Sequence, residues 1–227
     1  LFLVRNDLPR MDAERSISVA ELRALLARPA VVGACAGMAL TGALEGVFYT
    51  WLVYYAETLY PTATANALFS LYLLAYIPAR LAYTVAVGRV PYLALLFGVM
   101  LPAAPALALV FSGVTGPLLF AAVFVSGAAI SSGFPTLSAY AVEAAPEYSG
   151  PLNAVTNGST YFGLAAAPAV VGVLVEGYGL RPALLSTVVA AVAFVLVIAA
   201  LWWWTGTADA PESVSGAASA PNETSER

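Results

Sequence analysis

Histidine and lysine are absent from this 227-residue chain, and cysteine occurs once, at Cys35. Without histidine the chain lacks the commonest general base, any Ser–His or Cys–His pairing and most zinc sites. A single cysteine excludes an intramolecular disulfide. Charge is scarce too: 10% of residues are charged, all nine basic ones are Arg, and the net charge is -4. That balance gives no basis for nucleic-acid binding. There is no Gly-x-x-x-x-Gly-Lys loop to cradle a nucleotide phosphate, and the Asn-Pro-Ala repeats of water channels are missing. No catalytic constellation emerges, so neither enzyme activity nor a cofactor is expected.

What the chain has in abundance is apolar length. Hydrophobic residues make up 61% of it, and the mean hydropathy is +0.85. A soluble domain of this size could not hide so much apolar surface beneath a polar shell. A bilayer core about 30 Å thick needs about 20 apolar residues per helix. The sequence supplies that length at about 30–56, 63–87, 90–111, 117–144, 150–175 and 182–204. The spacing predicts an all-α integral membrane protein with one six-helix domain over 29–204. The connections are short and rich in turn residues (Tyr60-Pro61, Ser112-Gly113, Ser149-Gly150-Pro151, Gly177-Tyr178-Gly179), so neighbouring helices run antiparallel.

Residues 1–28 read as a polar linker whose Val19, Leu22, Leu25 and Leu26 predict a short amphipathic helix on the membrane surface. Residues 205–227 read as a disordered acidic tail. Leu1 stands where Met would open a chain, and Leu1 to Val4 resembles the end of an earlier apolar segment, so the chain reads as the C-terminal part of something longer. Arg10, Arg15, Arg23, Arg28, Arg80 and Arg89 fall on one side of the membrane and Arg181 on the other. That asymmetry places both termini in the cytoplasm. On that side the Asn222-Glu223-Thr224 acceptor would never meet the glycosylation enzyme.

Glu45 is the one ionisable residue well inside an apolar stretch. An intramembrane acid costs about 2.5–3.5 kcal/mol on insertion scales, so it is expected to face a cavity or a partner. Thr41 and Tyr49, four residues to either side, share its helix face and are candidates to hydrogen-bond it. The functional reading is a carboxyl that couples protons or contacts solute; the alternative is a structural hydrogen bond to a neighbouring helix. The fifth span carries Asn153, Asn157 and Tyr161 at four-residue spacing, flanked by Thr156 and Thr160. Such a stripe suits a water-filled path, or equally hydrogen bonds between packed helices. Ser131 and Ser132 are weaker candidates, since serine hydroxyls readily bond their own helix. Gly33/Gly37 and Gly42/Gly46 form small-residue pairs that permit close helix approach. Pro78, Pro102, Pro105, Pro135 and Pro168 are expected to interrupt helices within the membrane. Arg80, near the end of the second span, can snorkel or pair with an acid.

The series Glu143, Pro146, Gly150, Asn153, Asn157, Gly163, Pro168, Gly172, Gly179, Arg181 resembles the tenth and eleventh helices of major facilitator superfamily transporters. One departure concerns the loop after the second span, which in that family reads Gly-x-x-x-Asp-Arg-x-Gly-Arg. Gly88 and Arg89 hold its end, but Leu81 replaces the first Gly and Val85-Ala86 replace Asp-Arg. The resemblance implies a twelve-helix protein of two related halves, of which these six helices form the C-terminal one, partnered by an N-terminal half. It implies alternating access to a small-molecule solute at the interface, with Glu45 facing the path and Arg80, Gly88 and Arg89 at the gating loop. An apolar and aromatic lining with one acid favours hydrophobic or cationic solutes over sugars and phosphates. The alternative is a six-helix subunit, channel-like or structural, that does not transport by itself.

Overall fold

The computed structural model describes residues 18–206. The linker residues 1–17, with Arg10 and Arg15, and the tail 207–227, with the Asn222 acceptor, lie outside the described residues. Nine α-helices and one 3-10 turn, with no strand, make up the described part. Among them are six spans long and apolar enough to cross a membrane.

Helix α1 (Val19–Leu26) opens with a capping box: Ser18 Oγ accepts from the Glu21 N–H at 3.2 Å, and the Glu21 carboxylate accepts from the Ser18 N–H at 2.8 Å. Pro29 then starts α2 (Pro29–Glu57), where its missing N–H costs nothing. Helix α3 (Thr62–Val87) follows, then α4 (Tyr92–Met100), α5 (Ala103–Phe111), α6 (Pro117–Ile130) and α7 (Gly133–Ala144). A 3-10 turn (Pro146–Tyr148) leads into α8 (Ser149–Tyr178), and α9 (Leu180–Thr205) closes the bundle.

The third and fourth spans are each made of two helices, and the prolines divide into two groups. Pro78 and Pro168 remain inside unbroken α3 and α8. Pro102 instead caps α5 after a two-residue break, with Pro105 in the first turn of that helix, and Pro135 sits in the first turn of α7, just beyond the break at Ser131-Ser132. At that second break the two serines donate to the Ala128 and Ala129 carbonyls at 2.7 Å. Tyr83 also reaches the Ala128 carbonyl at 2.8 Å. In a medium without water, every backbone group freed by a break needs such a partner.

Helix α2 is the hub, packing on α3, α7, α8 and α9. Lipid offers no hydrophobic drive for helix association, so contact depends on close approach by small residues. Gly42 and Gly46 lie directly against the backbone of Thr160 and Leu164, and Gly163 of α8 lies against the backbone of Ala39 and Ala43. Pro168 lacks the N–H that would bond the Leu164 carbonyl. That carbonyl is the atom a side chain at Gly46 would strike. Gly33 and Gly37 serve different neighbours, Leu201 of α9 and Leu137 of α7.

The exposed faces differ in chemistry. On α9 they carry Val189, Val192, Leu196, Trp203 and Trp204, which suits lipid. The second and fifth spans are the least buried of the six, and their exposed positions mix apolar side chains such as Leu74, Ile77, Phe162 and Val173 with Asn66, Ser70, Arg80, Thr84, Asn153 and Tyr161.

Candidate functional site

Glu45 sits half-buried near the middle of α2, where its Oε1 accepts a hydrogen bond from the Tyr76 hydroxyl of α3 at 2.9 Å. The Tyr72 and Tyr76 hydroxyls are 2.8 Å apart. Tyr76 donates to the carboxylate, so Tyr72 is the donor to Tyr76. The result is a chain of two hydroxyls ending on one acid. Tyr72, Tyr76 and Arg80 are spaced four residues apart, which stacks them on one face of α3. The Arg80 guanidinium lies 5.2 Å from the centre of the Tyr76 ring, at cation–π distance. It also lies within electrostatic reach of Glu45. Among the described residues it forms no ion pair; Arg28 and Glu147, 3.6 Å apart, do.

Aromatic rings extend this cluster along α2 and α3. Tyr72 is buried and stacks on Phe48 at 4.6 Å. Tyr49 makes edge contacts with Phe69 and with Tyr72, both at 6.1 Å, and is 43% exposed. Tyr49 therefore joins the Glu45 neighbourhood through ring contacts. Thr41 does not join it. Its hydroxyl donates to the Gly37 carbonyl of its own helix at 3.0 Å, and the side chain is buried against Gly133 of α7. The expected Thr41–Glu45 hydrogen bond is thus corrected: a carbonyl one turn back is the nearer acceptor for a threonine in a helix.

The α8 stripe is divided by the helix it lies on. Thr156 and Thr160 are buried and donate to the Leu152 and Thr156 carbonyls at 2.8 and 3.1 Å. Asn157 donates to the Asn153 carbonyl at 2.7 Å, Asn153 accepts from Ser138 of α7 at 3.1 Å, and Tyr161 is 67% exposed. No hydrogen bond among the described residues joins this stripe to Glu45. Gly88 ends α3 with a right-handed backbone, φ -75°, beside the exposed Arg89. Arg80 borders a cleft of about 390 Å³ with Tyr83, Thr84 and Tyr92, and Tyr92 hydrogen-bonds Glu143.

The sequence reading missed Tyr72 and Tyr76. Their signal was present as polar tips at four-residue spacing leading to Arg80, but nothing in α3 alone marks the acid on α2 as their acceptor.

The sequence matches the family described as Major Facilitator Superfamily over residues 15–226. No curated protein matches the chain, and no solved structure matches it. The match covers most of the chain and agrees with an all-helical bundle of six spans. The chain belongs to the Major Facilitator Superfamily, and is a multi-pass membrane transporter protein of that family.

Proposed function

We propose that this chain is one six-helix half of a secondary transporter that moves a small solute across the cytoplasmic membrane by alternating access, with protons coupled at Glu45. The N-terminal half of the same transporter covers the exposed faces of α3 and α8, where polar side chains sit among apolar ones, and both termini lie in the cytoplasm. The observation that carries the reading is Glu45 itself, mid-span and only half-buried, with one oxygen held by Tyr76. An acid placed only to tie two helices together would be enclosed by them. This one keeps an open side on a face that also carries Tyr49 and Arg80. A carboxyl in such a position exchanges a proton with the path while its geometry is held by the hydroxyl. Thr41 drops out of the coupling set because its hydroxyl is engaged elsewhere. Asn153, Asn157 and Tyr161 remain as polar path residues, and Gly88 and Arg89 as the gating loop. Membership of a transporter family supports the reading that the chain is not an enzyme.

The test is proton-driven uptake by the intact protein in liposomes. Glu45→Gln keeps the shape and the hydrogen-bonding capacity but cannot release a proton. It should abolish accumulation against a gradient, while exchange driven by the solute's own gradient persists at saturating solute concentration. Uptake equal to the parent protein would remove Glu45 from coupling.

A further inference from the structure

We propose that the face built from Glu45, Tyr49, Phe69 and Tyr76 recognises an organic cation, an ammonium group on an apolar body, and that Arg80 is the resident cation such a solute competes with. The inference rests on the transporter reading above and specifies its substrate class.

The carboxylate is the first element. Tyr76 engages Oε1 of Glu45, and the other oxygen accepts no hydrogen bond among the described residues. An ammonium group could meet that free oxygen directly. The rings are the second element. Tyr72 and Phe48 are fully buried and stacked, so they act as a rigid backing. Tyr49, Phe69 and Tyr76 lie in front of that backing, each at least partly open, with centroids 5.4 to 6.3 Å from that of Tyr72. Aromatic faces carry negative quadrupole and attract weakly hydrated cations most when water is excluded. An apolar body would rest on the same rings.

Arg80 is the third and most telling element. Its guanidinium already lies over Tyr76, 5.2 Å from the ring centre, and acts electrostatically on Glu45 without pairing to it. The cluster thus already holds one cation, a side chain of the protein's own. An arginine held on a ring and near an acid, but bonded to neither, yields readily to a cation that reaches the free oxygen. The same arrangement disfavours other solutes. A carboxylate or phosphate would meet the Glu45 charge. A sugar would find one free acceptor and few donors, and would leave most of its hydroxyls unpaired against rings.

The test is equilibrium binding to the intact protein in detergent, using benzyltrimethylammonium, its neutral carbon isostere neopentylbenzene, and phenylacetate. The quaternary ammonium carries its charge at every pH, so its binding does not depend on its own protonation. It should bind about tenfold or more tightly than either competitor. Glu45→Gln should remove most of that preference. Tyr49→Leu should weaken the cation severalfold while Tyr49→Phe retains it, and this pair keeps the test decisive even if the Glu45 variant does not fold. Arg80→Gln should tighten cation binding by removing the competitor. Equal affinity for cation and isostere, or an unchanged cation affinity in Tyr49→Leu, overturns the proposal. Glu45-dependent uptake of a neutral or anionic solute instead would overturn the cation assignment and leave the transporter reading standing. Absence of Glu45-dependent uptake of any solute, with cation binding intact, would sink that reading and keep the binding site.

Discussion

Individual side chains in this bundle divide by whether their polar atoms are satisfied within their own helix. Thr41, Thr156, Thr160, Ser131 and Ser132 all donate to carbonyls three or four residues back, and so report little about solute. Tyr76 is different because it bridges helices, donating to Glu45 while accepting from Tyr72. Tyr76→Phe removes both partners at once and leaves the fully buried Tyr72 hydroxyl without an acceptor. We expect a loss of about 1–2 kcal/mol, read as a lower melting temperature in detergent, together with weaker proton-driven accumulation. The Arg28–Glu147 pair lies at the surface, with both side chains about half exposed. Arg28→Ala should therefore cost less than about 1 kcal/mol in a denaturation titration.

At the scale of elements, the α2–α8 crossing is the contact most dependent on small residues. A side chain at Gly163 would drive into the Ala39 carbonyl of α2, whereas one at Gly158 of the same helix meets nothing within 4 Å. Gly163→Val should destabilise the bundle by about 1–3 kcal/mol. Gly158→Ala should stabilise it by up to about 1 kcal/mol by removing a flexible helical glycine. Thermal unfolding of the two variants side by side checks the contrast, and a similar effect from both would rule out the backbone contact as its cause. The turn at Gly113 is constrained twice over: its φ is +87°, and the Arg181 guanidinium occupies the space beside it. Element boundaries were only partly legible. Proline content marked where a helix could break but not which prolines would break one. Pro78 and Pro102 are the same residue in similar apolar surroundings, yet α3 continues and the third span divides.

For the molecule as a whole, the contrast between faces leads to an accessibility prediction. If the partner half meets α3 and α8 across a wet path, single cysteines at Asn157 and Tyr161 should react with a hydrophilic maleimide in liposomes. Cysteines at Val192 and Leu196 of α9 should stay unreactive in lipid. The experiment is run in a Cys35→Ala background, since Cys35 is the one thiol in these 227 residues, with any cysteine of the partner half replaced as well. Equal labelling of both faces would contradict the assignment of α9 to lipid and of α8 to the path.

Hydropathy acts one residue at a time and over windows the length of a membrane. The sequence alone therefore determined the medium, the number of spans and the isolation of one acid among apolar residues. Glu45 was legible for that reason, as a charge with no local compensation. Its partner was not, because Tyr76 lies thirty-one positions away on another helix, and contact between them depends on how α2 and α3 are rotated about their axes. Only the packed bundle decided those rotations: Gly42, Gly46 and Gly163 set α2 against α8, and Gly127 of α6 lies against the Tyr72 carbonyl of α3. The same packing turned Thr41 toward Gly37 and Gly133 and left Tyr49 open beside the acid. Side-chain periodicity says which residues share a face, but the neighbouring helix determines what that face meets.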